Sequence, residues 1–387
     1  MPCPVCDGIE SASLVRMPNV PVFCNVLRRS VEEAQAVTRG GIELVLCDRC
    51  SHIYNRQFNP AIISYQPGYE NSLHFSKRYR TYAAQQVERL LDTCNLYGQG
   101  IIDIGCGTGE FLRLFSRMGN CTGTGFEPTA DPLEEDGVSG IHIVSHTFTE
   151  HYFDIPAKCY ISRHVLEHLP DPVHFLKTIR QAMTDEDALL FLEIPNGAYM
   201  LEQCSIWDVI YEHYSYFTPL SLQYILGRTG FRFTEIQSGF GEQYLFVDAF
   251  PRAEKNMTIF SRKGMAEDAL FRLTEEFALC GRKRHEKVEE LIATELHLGR
   301  KMVLWGAGSK GVTLLNQLAD ADSIEYVVDI NPGKQGKYIP GSGQLVVSPE
   351  FLTTIQADTV FIMNDMYRQE IQSVLDSLNL SARIHSL

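Results

Sequence analysis

Ile101-Ile102-Asp103-Ile104-Gly105-Cys106-Gly107-Thr108-Gly109-Glu110 decides how the middle of this chain folds. Three isoleucines around one acid read as a strand buried on both faces, and the apolar spacing over 111–118 reads as an amphipathic helix. Between them, glycines 105, 107 and 109 tolerate positive φ and let a ligand approach the backbone. The first amides of the following helix are left to donate. Taken singly the loop is a weak signal, because glycine-rich strand-to-helix turns also serve nucleotides, phosphates and plain tight packing.

The next strand discriminates. Residues 121–126 lead into Glu127, roughly twenty residues past the loop, where an acid in a doubly wound fold meets ribose hydroxyls. Pro128 then stops the strand. The loop reads Gly-Cys-Gly-Thr-Gly rather than Gly-x-Gly-x-x-Gly, and Asp103 beside it suits a cofactor whose amino-acid tail carries an ammonium group. The segment resembles motif I of class I S-adenosylmethionine-dependent methyltransferases. That resemblance implies S-adenosylmethionine as cofactor, held around Asp103, Gly105, Cys106, Gly107, Gly109 and Glu127.

Composition limits what surrounds such a site. With 387 residues, 44% of them hydrophobic, the chain can bury the cores of two or three domains. A net charge of -14 argues against a broad surface for DNA or RNA and favours a small-molecule substrate. The start, Met1-Pro2-Cys3-Pro4-Val5-Cys6, has no basic segment followed by an apolar one, and no run approaches bilayer-spanning length. A cytoplasmic protein without a membrane partner is expected.

The chain has eleven cysteines. Cys106, Cys121 and Cys159 fall in predicted strands or the glycine loop and read as buried thiols. Cys3-x-x-Cys6 and Cys47-x-x-Cys50 differ, because each short turn aims two thiolates at one point. The pairing points to tetrahedral Zn2+, structural because four thiolates fill the coordination shell. Redox dithiols and unrelated cysteines are the other readings.

Strands are predicted over 100–104, 121–126, 141–144, 158–163, 187–194, 231–237 and 243–250, with helical patterns between most of them. This spacing predicts a parallel doubly wound sheet whose last two strands form a hairpin. Ligand-contacting residues should lie beyond the carboxyl ends of the strands, which singles out Asp103, Glu127, the region near His146, and the segment Arg163 to His168. A long helical pattern over 266–298 is broken at Cys280-Gly281 and followed there by the basic cluster Arg282 to Arg284.

Lys301 to Gly311 holds a second glycine loop, Gly306-Ala307-Gly308, followed by a helix and a strand over 324–328 ending at Asp329. It fits the dinucleotide fingerprint. NAD, a nucleotide-containing substrate and a purely structural role are all open, although the unit is short for NAD. Lys310, Arg300, Lys334 and Lys337 could offset the acidity locally for an anionic ligand, or form a solvated rim.

Trp207-Asp208-Val209-Ile210-Tyr211-Glu212-His213-Tyr214-Ser215-Tyr216-Phe217 crowds tyrosines, a histidine and acids into one apolar segment. Methyl transfer to carbon needs a base for the carbon acid and donors for the enolate. A histidine near its native pKa suits the first task and tyrosine hydroxyls the second. Glu212 can polarise His213 only if the segment is irregular. An aromatic core patch with an incidental histidine is the bland reading.

Together the two knuckles, Tyr69 to Ser76, the Gly105 loop, Glu212 to Phe217, Gly306 to Gly311 and Val328-Asp329 with Lys334-Gln335-Gly336 resemble one family over nearly the whole chain. These are the sugar C-methyltransferases that act at C3 of nucleotide-linked 4-keto-2,6-dideoxy sugars. The resemblance implies an α/β architecture with a zinc-binding module (1–68), a class I methyltransferase Rossmann-like domain (69–255), and a helical linker with a C-terminal Rossmann-like substrate domain (256–387). It makes His213 the base, with Tyr69, Tyr211, Glu212 and His168 nearby. It also puts Arg163 and His164 near the cofactor, and Gly306, Gly308, Lys310 and Asp329 at the nucleotide end of the substrate. Two departures lie near the acceptor. Where the family has Tyr-His-Glu-His, this chain has Tyr211-Glu212-His213, and His164-Val165-Leu166-Glu167-His168 replaces an Asn-Val-Phe-Ala-His type of sequence, adding the Glu167 carboxylate. An O- or N-methyltransferase, or a non-catalytic sugar-nucleotide-binding module, is the alternative.

Overall fold

The computed structural model describes residues 1–9, 11–63, 68–130, 140–252 and 265–387. The domain boundary read at residue 255 lies outside them. Among the described residues the strands form three sheets.

The central sheet runs in the order Phe231–Gly239, Tyr244–Pro251, Leu189–Pro195, Cys159–Arg163, Gly100–Ile104, Thr122–Phe126, Ile141–Val144. The last five of that order pair in parallel, and the terminal hairpin adds antiparallel on Leu189–Pro195. Ile101, Ile102 and Ile104 are buried, as a strand covered on both faces requires. The helix Glu110–Gly119 lies close on this sheet because Thr122–Phe126 carries glycines where it lands: a Cβ at Gly123 would stand 2.5 Å from Leu112. All the strand ends that the chain order pointed to therefore open on one edge of the sheet.

The N-terminal sheet comprises Ser11–Pro21, Arg39–Cys47, Ile53–Asn55 and Ser215–Tyr216, all antiparallel. Its fourth strand comes from more than 150 residues downstream, so the segment expected at 1–68 shares its sheet with the candidate catalytic segment. The C-terminal sheet is parallel throughout, in the order Leu345–Val347, Ile324–Val328, Met302–Trp305, Thr359–Ile362, Arg383–Ser386. Leu345–Val347 is a strand the sequence reading missed, since three residues are too short to show a period.

The helical pattern expected to break at Cys280-Gly281 is instead one helix, Met265–His297. Gly281 is tolerated there because its bare face meets Ile206, which a Cβ would approach to 3.3 Å. Cys280 is joined to Cys204 by a disulfide. Of the basic cluster, Arg284 binds the carbonyls of Gln203 and Leu387 and lies over the Trp207 ring. This helix thus ties the C-terminus to the segment ahead of His213. Among the described residues no helix is long and apolar enough to cross a membrane.

Candidate active site

A cleft of about 1050 Å³ runs between the central and C-terminal sheets. Its walls include Asp103, the glycine loop, Glu127, Arg163, His164, His168, Tyr69, His213, Gly306, Gly308, Lys310 and Asp329. Residues read from separate motifs along the chain meet here.

At one end the backbone makes a cradle. Gly105, Gly107 and Gly109 have φ of +79°, +55° and +78°, and a Cβ on Gly105 would stand 2.2 Å from Val165 Cγ2. Gly109 begins the helix Glu110–Gly119 without a side-chain cap, leaving its first amides toward the cleft. Glu127 Oε2 accepts the Gly107 amide at 3.3 Å, while Oε1 accepts from Thr129 at 3.0 and 2.7 Å. Asp103 is buried, and that burial, reinforced by Glu127 and opposed by Arg163, pushes its carboxyl up to about 7. Burial also pushes the Cys106 thiol up. A buried acid, bare amides and a glycine floor fit a cofactor carrying a ribose and a charged amino-acid tail.

Arg163 and His164 line the cleft, but Glu193 takes their polar ends. Arg163 donates to Glu193 at 2.9 and 2.6 Å and to the Tyr79 hydroxyl at 2.9 Å, over the Phe111 ring. Tyr82 also donates to Glu193. His164, at φ +55°, has Nε2 3.3 Å from the same carboxylate. Burial opposes charge on His164, yet Glu167 and Glu193 outweigh it and raise the imidazole to about 9. Glu193 was missed in the sequence, where its one signal was a lone acid in the apolar run Leu189–Pro195.

At the other end stand two histidines. Their rings are 4.8 Å apart and nearly perpendicular. His168 Nδ1 lies 3.0 Å from the Glu212 carbonyl, which can only accept, so that nitrogen carries the hydrogen. The segment is irregular, as polarisation of His213 required, but the Glu212 side chain turns elsewhere: it accepts the Cys24 amide at 2.9 Å and a hydrogen bond from Tyr69. Burial pushes the Glu212 carboxyl up to about 7. His213 departs from the native pKa expected of it. Burial, with His168 beside it, lowers it to about 3, so the imidazole is neutral.

Tyr211 does not reach the cleft. Its hydroxyl accepts the Asn59 amide at 2.9 Å, and its ring stacks on Phe58 and covers Gly40, where no Cβ would fit. The chain turns at 211–212, closed by the His213 amide on the Ile210 carbonyl, so Tyr211 packs into the N-terminal sheet while His213 lines the cleft. Tyr216 lines the cleft, but its hydroxyl donates to the Ile210 carbonyl and accepts the Ile210 amide.

On the C-terminal side, Gly306 has φ +113° and Gly308 opens the helix Ser309–Leu315. Asp329 accepts the amides of Ala307 and Asn331, both at 2.8 Å. The acid at this strand end therefore shapes the loop, as Glu127 does at the first. Lys334 binds the Ala307 carbonyl, and Lys310 pairs with Asp208 at 2.9 Å. Asn25, also missed, reaches from the N-terminal unit to Ser309 and Tyr69.

Away from the cleft, Cys3, Cys6, Cys47 and Cys50 are buried together with their sulfurs within 4.8 Å of one another. The Cys3–Cys50 and Cys6–Cys47 separations are 3.6 and 3.5 Å, close to the edge of about 3.8 Å of a tetrahedron with Zn–S bonds near 2.3 Å. Both knuckles repeat one backbone pattern. The Asp7 and Ser51 amides donate to the Cys3 and Cys47 carbonyls, and the Cys3 and Cys47 amides donate to the Gly8 and His52 carbonyls. Asp7 and Ser51 both have positive φ. The donor set fits a tetrahedral metal.

A methyltransferase-domain model matches residues 75–236, and a C-methyltransferase C-terminal-domain model matches 261–380. The chain belongs to the S-adenosylmethionine-dependent methyltransferases. This methyltransferase is 23% identical over 392 residues to C-methyltransferase NovU of Streptomyces niveus, covering 95% of this chain and 90% of the relative. It is 30% identical over 123 residues to a ubiquinone biosynthesis O-methyltransferase of Actinobacillus pleuropneumoniae serotype 5b, covering 27% of this chain and 51% of that one. A solved S-adenosylmethionine-dependent methyltransferase from Mesorhizobium loti superimposes with a TM-score of 0.34 at 15% identity, over 43% of this chain and 96% of that chain.

Proposed function

We propose that the methyltransferase acts on a carbon next to a carbonyl, at C3 of a nucleotide-linked 4-keto deoxy sugar. The observation that carries this reading is the single cleft in which the Gly105 cradle, His213 with His168, and the Gly306 loop meet. Bound S-adenosylmethionine supplies an electrophilic methyl group on a sulfonium. Asp103, Glu127 and the backbone from Gly105 to Gly109 would hold it.

The chain's own residues do the proton work. His213 takes the proton from the acceptor carbon, and the imidazolium so formed faces the carboxylates Glu167 and Asp208. The charge moves to the carbonyl oxygen, to which Tyr69 donates once its single O–H turns from the Glu212 carboxylate, with Asn25 still donating to the phenol oxygen. Glu212 and Tyr69 thus work as a pair, and Glu212 reaches the histidines through its carbonyl on His168. Lys310, Gly306, Gly308 and Lys334 would meet the nucleotide end, with Asp329 holding the loop. The four cysteines would hold a structural Zn2+, remote from the chemistry because its shell is closed.

Incubation with candidate keto sugars in heavy water tests the base. Deuterium should enter the acceptor carbon with the wild type and not with His213→Asn; equal exchange in both removes His213 from this role. Carbon NMR of the product places the new methyl, and a methyl on oxygen or nitrogen replaces the C-methylation reading.

A further inference from the structure

Glu167 is the acid that departs from the expected sequence, and the mechanism above uses it only as a distant charge. It is 2% exposed, and among the described residues neither carboxylate oxygen has a hydrogen-bond donor. His164 Nδ1 stops 3.7 Å from Oε1. The His164 imidazolium is one cation beside it, but neither oxygen is hydrogen-bonded, and a buried carboxylate without donors remains unfavourable.

Two imidazoles stand beside it on the cleft wall. Ligand-type atoms of Glu167, His168 and His213 all lie within 4.8 Å of one another, and Glu167 Oε1 is 4.0 Å from His168 Nε2. Donors on one ion stand about 3–4 Å apart when bonds are near 2.1 Å, so modest side-chain rotations close the cluster. His168 is already oriented as metal-bound histidines are. Its Nδ1–H is committed to the Glu212 carbonyl, which leaves Nε2 as the nitrogen with the lone pair.

We propose that Glu167, His168 and His213 form a second metal site, for a divalent transition metal such as Zn2+ or Co2+. Two imidazoles and one carboxylate would hold one side of the ion, and the cleft leaves the other side to oxygen ligands of a substrate or water. An ion bound there occupies the nitrogen that His213 uses for proton transfer, so the metal-loaded protein is a resting form and the metal-free protein does the proton work described above.

Cobalt distinguishes this site from the cysteines. Protein whose cysteine site already holds zinc should take up one further equivalent of Co2+. The spectrum should show visible ligand-field bands and no near-ultraviolet thiolate-to-cobalt charge-transfer band. Glu167→Gln and His213→Asn, on separate segments, should each weaken that uptake by more than about tenfold, with melting transitions that remain cooperative. If one variant fails to fold, the other carries the same readout. Absence of a second equivalent, uptake only with the thiolate band, or uptake unchanged by the substitutions would overturn the proposal. Because the spectrum reads binding alone, this outcome is independent of whether His213 acts as the base.

Discussion

Asp103 joins the burial of one carboxyl to the handling of a charged ligand. Its folded value, about 7, lies above the ordinary 3.8. It therefore destabilises the ligand-free protein progressively as pH rises from about 4 to about 7, and fully above that. A cationic ligand favours the carboxylate, so S-adenosylmethionine should bind about tenfold more weakly at pH 6 than at pH 8. Calorimetry should find this dependence in the wild type and a flat, weaker profile in Asp103→Asn. Gly105 gives a steric counterpart. Gly105→Ala meets both a left-handed backbone, worth about 1–2 kcal/mol, and the Val165 methyl. It should abolish measurable cofactor binding, and Gly105→Ala with Val165→Ala should recover part of it, since the second change removes the clash and leaves φ. Both residues were legible in the sequence because a buried acid and a glycine loop act within a few residues of chain. Glu212 was legible as a candidate but its contacts were not, because its partner amide, Cys24, lies 188 residues away.

Strand and helix periods showed most of the central sheet. Its seven strands fall within a residue or two of the predicted ranges, because parallel buried strands and amphipathic helices advertise themselves by local spacing. The N-terminal sheet was less legible, since a two-residue strand, Ser215–Tyr216, has no period to read. Within that sheet Glu43 is buried between Arg56 and Arg16 at 2.6 and 2.8 Å, and these guanidiniums, Arg56 foremost, hold its carboxyl down at about 2. The stabilisation is present above pH 4.5 and is lost as pH falls toward 2. Glu43→Gln should therefore lower the unfolding free energy at pH 7 by on the order of 2 kcal/mol, and the gap from wild type in acid denaturation should close over that window. On the zinc reading proposed for the cysteine cluster, removing the metal should act more strongly. Structural zinc of this type contributes on the order of 10 kcal/mol of apparent folding free energy, so a chelator should melt the N-terminal sheet. Since Ile53–Asn55 pairs with Ser215–Tyr216, circular dichroism and methyl transfer should fail together.

The whole molecule is closed around its cleft by contacts between units distant in sequence. Glu370 accepts the Ser76 hydroxyl at 2.6 Å and the Lys77 amide at 2.9 Å, so an acid of the C-terminal unit caps the helix Lys77–Thr93. Glu370→Ala removes that cap, and because the amide is exposed and water can replace the carboxylate, the cost should be about 1 kcal/mol or less. It should raise the acceptor KM more than it changes the cofactor Kd, as steady-state kinetics and calorimetry can separate. By itself the sequence determined what depends on near neighbours: both glycine loops, the acids at Glu127 and Asp329, the two cysteine knuckles and the ranges of the central strands. Only tertiary structure decided that Tyr211 faces the N-terminal sheet and that Glu212 serves Tyr69. It alone brought Glu167 to His168 and His213. Local signals survive in sequence because backbone geometry repeats over a few residues, whereas the partner of a buried side chain is chosen by which faces pack together.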